Sequence, residues 1–135
     1  MALIPDISAI LGQALDDEDA TYSEAVIEAI AADEAIVPTL FWFEIRNALL
    51  MAERRKWLTP NRTHTFLSDL ALLPFLVDES PREATVLELA RQYALTVYDA
   101  TYLELAHRKH LPLATLDAAM IRAATPSGVT IFASA

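Results

Sequence analysis

Four acidic residues stand where carboxylates can do chemistry: Asp6, Glu44, Asp99 and Asp117. Taken singly, each has an ordinary structural account. Asp6 can cap the helix that follows it, although Ser8 is nearly as good a cap. Glu44 falls at the rim of an apolar helical stripe, where a solvated carboxylate is common. Thr96-Val97-Tyr98-Asp99 has capping-box spacing, and Asp117 suits the start of the last helix. Brought together without cationic partners, the four would repel one another and hold their protons more tightly. A divalent ion relieves that repulsion. Hard oxygen donors without cysteine or histidine favour Mg2+ or Mn2+ over zinc. Such an ion keeps bound water that can attack a phosphodiester, and it neutralises the charge that develops.

The elements that must position these acids alternate between short apolar runs and amphipathic helices. Strands are expected at residues 2–5, 35–37, 75–77, 111–115 and 129–132. Helices are expected at 8–15, 23–32, 40–55, 59–73, 81–93, 98–109 and 118–124. In the third, Phe41, Ile45, Ala48, Leu49 and Ala52 form one stripe. Pro60 opens the fourth, since proline is tolerated in a first turn. Alternation of this kind implies parallel pairing with right-handed crossovers: a three-layer α/β/α sandwich around a central parallel sheet of about five strands. Ligands in such folds sit at the carboxyl ends of the strands. By connectivity alone Asp6, Glu44 and Asp117 fall near that edge, whereas Asp99 needs the tertiary fold to join them.

Composition bounds the rest. The 135 residues fit one domain, with a 54% apolar content ample for a core. Together with a mean hydropathy of +0.29, that content leaves apolar surface for a partner. No apolar run approaches the ~20 residues of a membrane span, and the first residues lack the basic region of a signal peptide. The absence of cysteine excludes disulfides and thiolate metal sites, which suits a cytoplasmic location. The net charge of −9 argues against a passive nucleic-acid-binding module, which needs cations to contact phosphates. It is compatible with an enzyme whose metal ions reverse the local sign.

At these residues the chain resembles the PIN-domain ribonucleases, specifically VapC-like toxins of type II toxin–antitoxin systems. The specific block is Tyr98-Asp99-Ala100-Thr101-Tyr102-Leu103-Glu104-Leu105-Ala106 followed by Leu111-Pro112-Leu113-Ala114-Thr115-Leu116-Asp117. Val37-Pro38 through Phe43-Glu44-Ile45-Arg46-Asn47-Ala48-Leu49 resembles a second block, and Asp6-Ile7-Ser8 stands where the family has its first Asp. The blocks run in family order over nearly the whole chain, so residues 1–135 are expected to form a single PIN-like domain. The resemblance implies Mg2+-dependent endonucleolytic cleavage of RNA, with Mn2+ as a substitute. It implies Asp6 and Asp99 as direct metal ligands and Glu44 and Asp117 as the acids that complete the site. Ser8, Asn47 and Thr115 would be supporting hydrogen-bonders. It further implies a homodimer inhibited by a cognate antitoxin protein. One departure is local: Pro5 and bulky Ile7 flank Asp6, where the family has an apolar strand residue and a small residue. The alternative this raises is a catalytically weakened PIN-fold protein serving as a binding scaffold. A small phosphatase on an α/β fold is less well served, because no second acid lies two residues after Asp6 and no lysine lies at an obvious strand end.

Three further groups invite roles. His107 and His110 close a helix beside Arg108 and Lys109, which its negative pole explains, and His64 stands alone. Arg54-Arg55-Lys56 close another helix in the same way, although they could also touch RNA phosphates. Phe41-Trp42-Phe43 cannot all face one core. Phe41 belongs to the buried stripe, so Trp42 or Phe43 must point partly outward, against a neighbouring layer or a partner.

Overall fold

The computed structural model describes residues 1–17 and 19–133, so Glu18 of the acidic run 16–19 lies outside the described residues. Eleven elements alternate: β1 (Ile4–Pro5), α1 (Ser8–Leu15), α2 (Ala20–Ala32), β2 (Ala35–Pro38), α3 (Phe41–Arg54), α4 (Pro60–Leu70), β3 (Phe75–Asp78), α5 (Glu83–Tyr93), α6 (Val97–Lys109), β4 (Leu113–Ala114) and α7 (Ala118–Ala124). No described helix is long and apolar enough to cross a membrane.

The expected five-stranded sheet is replaced, among the described residues, by two short parallel pairs, β1 with β4 and β2 with β3. The prolines explain the division. Leu3 bridges Ala35 through two bonds, Leu3 N–H to the Glu34 carbonyl and Ile36 N–H to the Leu3 carbonyl. The next rung of a parallel ladder would need N–H groups from Pro5 and Pro38, and neither exists. On its other side β1 is well held, with Ile4 N–H on Pro112 at 2.9 Å and Asp6 N–H on Ala114 at 3.0 Å. The expected strand at 129–132 shrinks to one bridge between Leu113 and Ile131. Before that bridge Leu111 N–H closes α6 on Ala106, and beyond it the Phe132 carbonyl accepts the Tyr22 hydroxyl.

The core collects the apolar stripes of the helices against these strands. Phe41, Ile45 and Leu49 of α3 are fully buried with Ile4, Val37 and Leu113, each such side chain contributing roughly 2 kcal/mol by leaving water. Seven consecutive residues of α6, from Ala100 to Ala106, are buried, which makes it a central helix rather than a one-sided one. Charged Glu104 is tolerated inside it because Arg108 pairs with both Glu104 and Asp78, tying α6 to the end of β3. Gly12 permits α1 and α2 to approach closely: a Cβ there would lie 2.7 Å from the Ser23 hydroxyl.

Several helix limits differ from expectation. α2 begins at Ala20 rather than 23, and α4 stops at Leu70 rather than 73. With only two glycines in the chain, several turns use other residues in the left-handed region: Asp16, Lys56, Ala94 and His110.

Candidate functional site

β1 is short because it ends where α1 begins, and that junction places Asp6. Its carboxylate is 5% exposed and accepts three hydrogen bonds. Ser8 Oγ donates to Oδ1 at 2.5 Å, Ala9 N–H donates to the same oxygen at 3.2 Å, and Thr115 Oγ1 donates to Oδ2. The two hydroxyls are themselves fixed by the loop after β4. Leu116 N–H donates to Ser8 Oγ at 2.9 Å, and Asp117 N–H donates to Thr115 Oγ1 at 3.0 Å. One network therefore joins the ends of β1 and β4 around a single acid. Pro5 ends the pairing with β2 but leaves that with β4 intact, because its missing donor faces β2. Ile7 packs against the core.

Glu44 lies in the first turn of α3, half-buried, and its Oε1 accepts the Tyr102 hydroxyl at 2.7 Å. Asp99 lies in the first turn of α6, partly buried, and its N–H donates to the capping Thr96 Oγ1 at 3.0 Å. Asp117 is exposed and caps α7, with Oδ1 accepting from Met120 N–H at 3.0 Å. Asn47, one turn beyond Glu44, is exposed and makes no hydrogen bond to the acids. The capping roles read from the sequence for Asp99's turn and for Asp117 are thus present, and they leave carboxylate oxygens free.

The electrostatics tie the acids together. Burial pushes the Asp6 carboxyl up, partly offset by its hydroxyl and N–H donors, and the charge of Asp99 raises it further. Burial also raises Glu44, against the lowering effect of Tyr102, and both Asp99 and Asp6 add repulsion. Asp99 is raised first by burial and then by Asp117. Cationic groups do not figure among the causes for any of the three. The donor set is all carboxylate oxygen, mutually repelling and short of positive charge, which fits a hard divalent cation such as Mg2+. Among the described residues no three of these side chains stand close enough together to enclose an ion as they are placed.

Tyr102 is the site residue that sequence reasoning passed over. It is buried, donates to Glu44, and feels the charges of Glu44, Asp6 and Asp99, which together with burial push its own hydroxyl far up. The signal was its spacing: three residues after Asp99, it shares a face of α6 with that acid. The histidines stay apart from the acids: His64, His107 and His110 are all exposed. Arg108 is committed to Asp78 and Glu104 rather than left to the end of its helix.

Comparison with known proteins bears on the family and the fold. A family model described as the PIN domain matches residues 3–126. A crystal structure of PAE2754 from Pyrobaculum aerophilum is 26% identical, with a TM-score of 0.65 over 91% of this chain and 87% of the other. The crystal structure of FitAcB from Neisseria gonorrhoeae has a TM-score of 0.65 over 98% of this chain and 97% of the other; at 14% identity it speaks to the fold alone. No curated protein matches.

Proposed function

The chain belongs to the PIN-domain family, whose members are generally nucleases, and from that premise we propose that it is a Mg2+-dependent endoribonuclease. The observation that carries the proposal is the buried Asp6, held by Ser8, Thr115 and Ala9 at the junction of β1 and β4 and raised by Asp99. A carboxylate buried at such cost, beside others and without a cation, is what a metal site needs and a purely structural site avoids.

Asp6 and Asp99 would hold the ion, with Mn2+ able to replace Mg2+. When bound, the ion supplies an activated water and neutralises charge at the scissile phosphate. Ser8 and Thr115 keep both Asp6 oxygens in place, so the acid need not reorganise when a ligand arrives. Tyr102 fixes the orientation of Glu44. Asp117, exposed at the rim, is suited to hold ordered water, and Asn47 could reach a bound strand from the next turn of α3.

The VapC-like motifs support a toxin held in check by an antitoxin. Exposed apolar side chains suit such a partner and a homodimer: Phe43 is 76% exposed, and Leu76 and Val77 of β3 are also open. Phe41 and Trp42 instead pack against Phe75, with ring centroids 5.4 Å apart in each case. The net charge of −9 suits a basic antitoxin.

Incubation of the purified chain with single-stranded and structured RNA tests the reading. Cleavage is expected with Mg2+, none in excess EDTA, and a loss of at least roughly 10²-fold in Asp99→Asn. Full activity in EDTA or in Asp99→Asn would refute the mechanism. No cleavage of any RNA would leave the scaffold reading in its place.

A further inference from the structure

A groove of about 740 Å3 lies where the end of α3 meets the start of α4, with Ala14 of α1 at its side. Leu50, Trp57 and Leu58 give it an apolar lining, and Arg54, Lys56 and Arg62 give it positive charge against a single acid, Glu53. Trp57 is 62% exposed, and the Arg55 guanidinium lies 5.0 Å from its ring centroid. Arg62 comes from a different helix and is anchored by a 2.9 Å bond to the Gln13 carbonyl. None of these four cations is in an ion pair among the described residues. They are four of only ten lysines and arginines in a chain of charge −9.

The end of α3 accounts for cations in its last turn. It does not account for a large aromatic ring left in water with an arginine on it, nor for Arg62 turned to the same groove. Aromatic rings flanked by arginine, with cations in reach, are the means by which proteins hold single-stranded nucleic acid. An apolar protein segment would fill the groove but leave the cations without partners, and the basic antitoxin proposed above would be repelled by them. We propose that this groove is an RNA-contact surface, where a nucleobase stacks on Trp57 and Arg54, Lys56 and Arg62 pair with neighbouring phosphates. The choice of RNA among polyanions rests on the nuclease reading. The surface resolves a difficulty of the acidic chain: it gives a strand cationic contacts apart from the carboxylates.

The test is fluorescence anisotropy of a labelled single-stranded oligoribonucleotide with the full chain in EDTA, where binding is read without cleavage. The wild-type chain is expected to bind, and Trp57→Ala to bind roughly ten-fold more weakly. Trp57→Phe, which keeps a ring, should recover most of the affinity, separating stacking from any loss of fold. Arg54→Gln combined with Lys56→Asn, asparagine being tolerant of Lys56's positive φ, should reduce the slope of log affinity against log salt by about 1.4. Wild-type affinity in both groove variants would overturn the proposal, as would absence of binding by the wild-type chain. The same holds if these variants keep RNA affinity but lose an acidic protein partner. Groove-dependent binding without any cleavage in Mg2+ supports the groove and defeats the nuclease reading; cleavage with neutral groove variants does the reverse.

Discussion

Tyr102→Phe removes one oxygen from a side chain that is 1% exposed and leaves its packing intact. The oxygen donates to Glu44 Oε1 at 2.7 Å, a bond to a charged acceptor worth roughly 1.5–3 kcal/mol. Glu44 is only half-buried, so water can replace part of that bond, and a loss of about 1–1.5 kcal/mol is expected at pH 8. In a chain of this length that lowers Tm by roughly 3–6 °C. The loss must depend on pH. The hydroxyl holds the Glu44 carboxyl down against the burial that raises it, because it favours the ionised form. Its contribution is therefore full above the folded pKa of Glu44, which burial raises from its ordinary value, and fades as pH falls through that pKa. Urea denaturation of both proteins from pH 4 to pH 8 measures this. Equal stability at pH 8, or a deficit that is the same at every pH, would refute the coupling of Tyr102 to Glu44's charge.

Two further outcomes follow from the fold. Ala94 closes α5 at φ 55°, with Leu95 N–H returning to the Ala90 carbonyl, a geometry that suits glycine. Relief of about 1–2 kcal/mol of strain, less the added freedom of glycine when unfolded, makes Ala94→Gly more stable by about 0.5–1 kcal/mol, readable as a higher urea midpoint. Asp78 is held below the usual carboxylate range, chiefly by the hydrogen bonds from Arg108. Its stabilisation is complete above the unfolded value of about 3.9 and is lost as pH falls through the depressed folded value. The deficit of Asp78→Asn, about 2 kcal/mol at pH 7, should thus close only below about pH 4 in denaturation experiments.

The placement of much of the candidate site could be read from the chain because connectivity governs it. Asp6, Glu44 and Asp117 each follow a strand, and parallel strands put such positions at one edge. Asp99 was placed only by its motif, since no local rule says that α6 runs through the middle of the molecule. Tyr102 is hidden for the same reason. The run from Ala100 to Ala106 includes Thr101 and Glu104 as a surface helix might, yet all seven residues are buried. Glu104 and Arg108 are spaced as an ordinary surface pair, and only the fold adds Asp78 to them. The divided sheet is illegible in the sequence for a different reason. Pro5 and Pro38 are visible as residues without donors, but their effect depends on register. Only when Leu3 stands opposite Ala35 do the two prolines fall on the same missing rung. Phe43, rather than Trp42, faces outward because β3 supplies Phe75 as a partner for Trp42, a contact between residues far apart in sequence.

The central claim is that Asp6, fixed by Ser8 and Thr115, forms with its neighbouring acids a single site for a divalent ion. Calorimetric titration of Mn2+ into the wild-type chain and into Asp6→Asn tests it most directly, with circular dichroism confirming that both are folded. The account predicts saturable binding by the wild-type chain that disappears in Asp6→Asn. An absence of saturable binding in the wild type, or equal binding by the variant, would contradict it.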